Sequence, residues 1–153
     1  MKTPKQLCTF IVNGFYFGID VLKVQEVIRY QLMTRVPTAP AMVMGLINLR
    51  GQIVIAVDMR QRMDFPKKTG EDLPLNIVVH CEDGAVSLLV DEIGDVIEVD
   101  ENAFELPLEN LNGVARELVA GIYKLPERLL LLLDVDKAVS VNSTSVNSNM
   151  VFA

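Results

Sequence analysis

Short apolar-rich runs broken by turn residues dominate the chain, a texture closer to the period of two expected of strands than to the 3.6-residue period of helices. Gln6 to Val12 is such a run, Asn13-Gly14 suits a two-residue hairpin, and Phe15 to Ile19 resumes the strand. In Asp20 to Ile28, DVLKVQEVI, residues Val21, Val24 and Ile28 fall at helical spacing, while Val24 to Ile28 also reads as an edge strand. A helical turn feeding a strand satisfies both patterns. Pro37 and Pro40 then force an extended loop, because proline lacks an amide hydrogen and biases its predecessor away from helix. In GLINLRGQIVIAVD, Gly45 to Asp58, two apolar runs meet at Arg50-Gly51, a hairpin with a positive charge at its tip. Asp58 can cap a short helix in DMRQRM, with Gln61 closing a capping box. Pro66 to Pro74, PKKTGEDLP, reads as a linker between two halves.

The second half repeats the theme. Asn76 to Cys81 and Ala85 to Val90 are strands around Glu82-Asp83-Gly84, and Asp95 to Val99 is a third. Glu101 to Arg116 reads as an acidic connection, Leu118 to Leu125 and Leu129 to Leu133 as another hairpin, and Asp134 as the start of a terminal helix. Setting MVMGLINLRGQIVIAVD above ELVAGIYKLPERLLLLLD pairs Val43 with Val119, Gly45 with Gly121, Leu49 with Leu125 and Asp58 with Asp134, each at a spacing of 76. A weaker echo pairs Asp20 with Asp91 and Val27-Ile28 with Val96-Ile97. The chain therefore looks like two copies of one small strand unit, each too small for a core of its own, which should pack together or close as barrels.

Half of the residues are apolar, enough for one well-buried domain of 153 residues. The longest uncharged apolar segment, Val36 to Leu49, holds 14 residues and two prolines, short of the roughly 20 apolar residues a bilayer span needs. With no separate apolar core or cleavage site after MKTPKQL, a cytoplasmic location is expected. Charge is polarised along the chain. Residues 1–68 carry ten Lys/Arg and four Asp/Glu, residues 69–115 twelve acids and no base, and residues 116–153 four of each, giving +6, −12 and 0. Such a chain suits head-to-tail contact with a partner or a relative of itself, unless the acids simply solvate loops. Nucleic acid is a poor candidate, since aromatic content is only 6% and no basic, aromatic-laced face is visible. The last fourteen residues, SVNSTSVNSNMVFA, are expected to form a disordered tail.

Reactive chemistry is not visible. His80, the only histidine, lies beside Cys81 in a strand, where neighbours face opposite sides. Cys8 and Cys81 sit in apolar stretches and read as buried free thiols. Structural zinc wants four Cys or His ligands and three such residues exist in all. No glycine-rich phosphate loop occurs. Asp58 and Asp134 form a symmetric carboxylate pair, but each follows a strand and opens a helix, so capping accounts for them. Surface recognition is the default reading, and Arg50 is its leading residue.

At GLINLRGQIVIAVDMR the chain resembles the CheW family of chemotaxis coupling proteins, whose signature runs roughly G-V-x-N-L-R-G-x-I-V-P-V-V-D-L-R. FYFGIDVLKVQEVI (15–28), the TRVP loop (34–40), VSLLVDEIGDVIEV (86–99) and LVAGIYKLPERLLLLLDVDKAV (118–139) follow in the family's order, so the resemblance covers residues 6–139. It implies an all-β fold of two packed five-stranded antiparallel β-barrels of the Src-homology-3-like kind within one domain, 1–139, the first barrel over about 14–68 and the second over about 74–139, before a tail at 140–153. It also implies a scaffold without enzymatic activity or cofactor, linking the cytoplasmic tips of chemoreceptors to the regulatory domain of the histidine kinase CheA, and touching the membrane only through receptors. Carried over by motif position, Val24, Glu26, Val27, Gly45, Arg50 and Val86 would line the receptor groove, with Glu26 and Arg50 free to pair. The kinase-facing candidates are Gly121 and Ile122 in the second hairpin. The valines also read as ordinary core, and the two glycines as sites of strand bending or close backbone approach. Ala56 stands near the position where the family often has proline, and the second hairpin has Pro126-Glu127 where the first has Arg50-Gly51, so only the first copy presents arginine at that place. The alternatives are a CheW-like adaptor of an array controlling pili or a second-messenger enzyme, a truncated relative of CheV, and a small metal-dependent nucleotide-binding or hydrolytic domain.

Overall fold

The apolar runs become strands where the pattern places them. A computed structural model describes residues 5–70, 72–82, 84–106 and 113–140. Its strands are β1 (Lys5–Val12), β2 (Phe15–Asp20), β3 (Val24–Ile28), β4 (Val43–Leu49), β5 (Gln52–Asp58), β6 (Leu75–Cys81), β7 (Gly84–Val90), β8 (Glu92–Val99), β9 (Phe104–Glu105), β10 (Val119–Lys124) and β11 (Leu129–Leu133). Short helices α1 (Met59–Arg62), α2 (Gly113–Leu118) and α3 (Val135–Val139) follow β5, precede β10 and follow β11. The ambiguous stretch after Asp20 resolves as both patterns: a 3₁₀ turn, Val21–Lys23, feeds β3. The acidic connection from Glu101 to Arg116 is more ordered than its composition suggests, because it contains β9 and α2. Of the tail at 140–153, all but Ser140 lies outside the described residues.

Two sheets result, ordered β8-β1-β2-β11-β10-β9 and β3-β6-β7-β5-β4. One therefore has six strands rather than five, since β9 adds two residues to its edge. Neither is purely antiparallel: β11 runs parallel to β2, and β5 parallel to β7. The internal repeat is preserved in sequence order, β1–β5 matching β6, β7, β8, β10 and β11, but the sheets do not follow it. The hairpin β1–β2 of the first repeat joins β8, β10 and β11 of the second, and the hairpin β6–β7 of the second joins β3, β4 and β5 of the first. The linker around 66–74 thus separates the repeats in sequence without separating the sheets: β6 and β7, beyond it, pair with β3 and β5, before it. The cause is the short crossovers. Only Val21–Lys23 lies between β2 and β3, and only Asp91 between β7 and β8, so each repeat is passed from one sheet to the other after its first hairpin.

Three clusters of buried side chains organise the interior. The largest is shared by both sheets: Phe10, Phe17, Ile19, Ile122, Leu131 and Leu133 from one meet Val57, Ile77, Val79, Leu88 and Val90 from the other. Phe10 and Phe17 stack with ring centroids 5.6 Å apart. On the opposite face of each sheet lies a smaller cluster, Leu7, Tyr16, Val99, Tyr123, Leu130 and Leu132 in one and Ile47, Leu49, Val54, Ala56, Val78 and Leu89 in the other. Strand alternation explains the division, since Leu130 and Leu132 face one way and Leu131 and Leu133 the other. A strand buried on both faces carries no polar alternation, hence the unbroken leucines of β11.

Polar contacts fasten the two repeats where the chain crosses. Arg60, on α1, lays its guanidinium on Asp91 through Nε to Oδ1 at 2.9 Å and a terminal nitrogen to Oδ2 at 2.7 Å. The Asn13 amide donates to the same carboxylate at 2.8 Å. Arg62 donates to the carbonyls of Lys137 and Ala138 at the end of α3, both at 2.9 Å. Asp58 caps α1 by accepting from the Arg60 amide at 3.0 Å, but the capping box does not close. The Asp58 amide instead donates to the Met42 carbonyl at 2.7 Å. Cys8 and Cys81 are not joined in a disulfide; Cys8 is buried and Cys81 half-buried.

Burial acts most strongly on Asp91 and would raise its pKa, yet the hydrogen bonds from Arg60 and Asn13 and the charges of Arg60 and Lys68 together hold it below its ordinary value. A carboxylate depressed in the folded state contributes stability above its unfolded pKa of about 3.9 and loses it as pH falls through the folded value. Arg60→Ala, which leaves Asp91 charged and mostly enclosed, is expected to cost about 3 kcal/mol at pH 7 in urea unfolding. Asp91→Asn should lower the melting temperature at pH 7 and flatten its fall below about pH 4.

Candidate functional site

The Arg50 hairpin is a two-residue turn, with Leu49 opposite Gln52 and positive φ at both central residues, +52° at Arg50 and +87° at Gly51. That turn twists with the strands it joins, which is why Gly fits its second place. Its first place favours Asn or Gly, and an arginine there is held in a conformation side chains rarely adopt. Asn48 steadies the turn, its Oδ1 accepting from the Gly51 amide at 3.0 Å. From this position Arg50 reaches Glu26 on β3, each terminal guanidinium nitrogen donating to one carboxylate oxygen. The arginine is 68% exposed and the glutamate 21%. Arg50's hydrogen bond is the main reason the Glu26 carboxyl lies below its ordinary pKa, Gln25 adding to it and partial burial opposing.

The pair spans opposite edges of its sheet, for β3 and the β4–β5 hairpin lie at the two ends of the strand order. The sheet is strongly curled as a result. The chain leaving β3 also returns to the far edge, where Thr34 and Leu46 exchange amide-to-carbonyl bonds of 2.8 Å. The other sheet does the same, the chain leaving β8 returning as β9 to pair with Ile122 and Tyr123 of β10.

A bulge at Gln25 decides which neighbours Arg50 has. Val24 stands opposite Val79, but Glu26, two residues on, stands opposite Val78. The extra residue puts Val24 and Val27 on one face and Glu26 on the other. Val24, Val79, Val86 and Ile55 then form one cross-strand row against the shared core, while Glu26, Val78, Ser87, Ala56 and Gly45 form the next row on the opposite face. Val24 and Val86 are half-buried and Val27 is 41% exposed. The structure therefore sets Val24, Val27 and Val86 on one face, joins Glu26 to Arg50 around the edge, and leaves Gly45 buried at the far end of Glu26's row.

Gly45 and Gly121 are explained by close approach. A Cβ on Gly45 would stand 2.6 Å from the Thr34 carbonyl oxygen, and one on Gly121 would stand 2.1 Å from the Phe104 ring and 2.8 Å from the Glu105 oxygen. Each follows a bulge, in β4 and β10, and each admits the segment that returns to that edge. Ile122 is 2% exposed in the shared core, so its side chain offers no surface. What that edge does expose is Phe104 at 37% and Leu106 at 77%, residues that a reading of the acidic connection as unstructured passes over. The second hairpin has its own arginine, missed by matching turn residues alone: Arg128 closes the Leu125–Arg128 loop by accepting the Leu125 amide at 3.0 Å and lays its guanidinium 3.6 Å from the Tyr16 ring centre. It is stacked rather than presented. The described residues include no cluster of three or more His, Cys, Asp or Glu that could hold a metal ion.

The profile of the CheW-like domain matches residues 6–142, and the chain belongs to the CheW family of non-enzymatic chemotaxis coupling adaptors. It is 31% identical over 144 residues to chemotaxis protein CheW of Bacillus subtilis, covering 94% of this chain and 92% of that one. To CheW of Klebsiella aerogenes it is 29% identical over 95% of this chain and 88% of the other. The crystal structure of scaffolding protein TtCheW from Thermoanaerobacter tengcongensis superposes with a TM-score of 0.82 at 28% identity, covering 92% of this chain and 95% of that one.

Gly45→Ala is expected to destabilise the fold by about 1–3 kcal/mol, because the added methyl meets backbone rather than a side chain that can move away. Gly121→Ala should dislodge β9, seen as faster amide exchange at Glu105 with little change at β1 and β2.

Proposed function

We propose that this chain couples the cytoplasmic tips of chemoreceptors to the regulatory domain of the histidine kinase CheA, in arrays on the inner face of the membrane. It reaches the membrane through the receptors; no helix among its described residues is long and apolar enough to cross one. The observation that carries the reading is the Glu26–Arg50 pair, held at the rim across the edge strand from the half-buried Val24 and Val86 and the exposed Val27.

A receptor-tip helix offers an apolar stripe flanked by polar groups. Val24, Val27 and Val86 supply the apolar strip, and the pair supplies donors and acceptors whose orientation is fixed before the helix arrives. An arginine kept in an unfavourable turn conformation, when the equivalent hairpin uses a longer loop, supports a role in recognition over one in folding. For the kinase, the edge of the second hairpin remains the proposed contact. Gly121 acts there through the backbone path it permits, and Ile122 by anchoring β10 in the shared core.

Arg50→Ala should leave the melting temperature within about 3 °C, as an exposed substitution. It should weaken capture of receptor-tip fragments with the CheA regulatory domain by roughly tenfold, the loss expected of one well-placed interface contact. Unchanged capture would take Arg50 out of the site. Co-purification of the tagged chain from its host should bring down a CheA-type kinase; recovery of no kinase and no receptor would defeat the coupling role.

A further inference from the structure

We propose that the two repeats can complete each other between chains as they do within one, so that the surface each repeat buries fits a second copy of this chain. The argument starts from the strand pairings. Those within a repeat are hairpins: β1 with β2, β4 with β5, β6 with β7, and β10 with β11, which β9 extends. Every other named pairing joins the repeats: β1 with β8, β11 with β2, β3 with β6, and β5 with β7. A repeat by itself is two hairpins and an unpaired strand, and isolated hairpins are marginal in water. The shared core divides the same way, Phe10, Phe17, Ile19 and Val57 coming from the first repeat and Ile77, Leu88, Ile122 and Leu131 from the second.

Charge selects unlike repeats. The first, residues 1–68, carries +6, and the remainder carries −12, the sum of −12 and 0 for its two parts. The fastenings between them that involve a basic side chain run from the first repeat to an acid or carbonyl of the second: Lys23 to Asp136 at 3.3 Å, Arg60 to Asp91, and Arg62 to the end of α3. Two first repeats, or two second repeats, would meet with like charge.

What keeps completion within one chain is the linker. Met63 is buried, Phe65 stacks on Phe15 at 5.4 Å, and the Pro66 carbonyl accepts from Arg60 at 2.8 Å, so the chain is pinned as far as Pro66. Only residues 67–74 then span the way to β6. If they cannot span it, each first repeat can be completed only by the second repeat of another copy, in a closed reciprocal dimer with both Glu26–Arg50 pairs intact.

The test is deletion of residues 67–72 from the full chain, with mass read by light scattering. The expected result is a folded species near twice the 17.0 kDa of one chain; a folded monomer overturns the proposal. Should the deletion fail to fold, a specific protease site replacing residues 69–72 is cut in the native protein. The two pieces should then co-elute at the mass of one chain, melt in a single transition, and exchange partners when refolded with a differently tagged cut copy. Separation of the pieces on cutting, or cooperative melting of either piece alone, overturns it.

Discussion

The structure depends on an apolar core to which neither repeat has sole title. Its members alternate between two sheets and two repeats, so burying Phe17 against Leu131, or Val57 against Leu88, requires the whole chain. Each large side chain buried there contributes about 1.5–3 kcal/mol, and none of it is available to half a molecule. The proposed recognition surface inherits this dependence. Val24 and Val86 come from different repeats and form one strip only because Val79 stands between them.

On that base the rim is built by local exceptions. Two bulges seat the glycines on which the returning segments rest, and a third, at Gln25, turns Glu26 away from its valine neighbours and toward the hairpin tip. Arg50 then occupies a turn position that backbone preference would give to another residue. Adaptor surfaces gain from such arrangements, because a contact fixed before binding loses less freedom when the partner arrives.

Much of this was legible in the sequence. Turn chemistry located the hairpins at Asn13-Gly14 and Arg50-Gly51, period-two runs located the strands, and the 76-residue offset located the repeat. The family motif led to the Arg50–Glu26 pair. The exchange of hairpins was not legible, because strand pairing between distant segments leaves no periodicity, and a three-residue crossover looks like any other turn. Bulges hid too: period-two reasoning sets Val24 and Val27 on opposite faces, and the single extra residue that reverses this carries no compositional mark. Ile122 and Ile53 read alike as apolar strand residues, yet one is buried and the other exposed, a distinction made by the neighbouring strand. The acidic stretch after Glu101 failed for the converse reason, its charge concealing Phe104, whose ring meets Tyr123 edge-on at 5.4 Å.

The single-residue crossing at Asp91 has a mechanical meaning. Domains joined by flexible linkers across small polar interfaces swivel, and a push on one is lost in the joint. Here the passage between sheets is one residue long, is clamped by Arg60 and the Asn13 amide, and sits on continuous apolar packing. A displacement of one sheet should therefore carry the other with it rather than be lost in a joint.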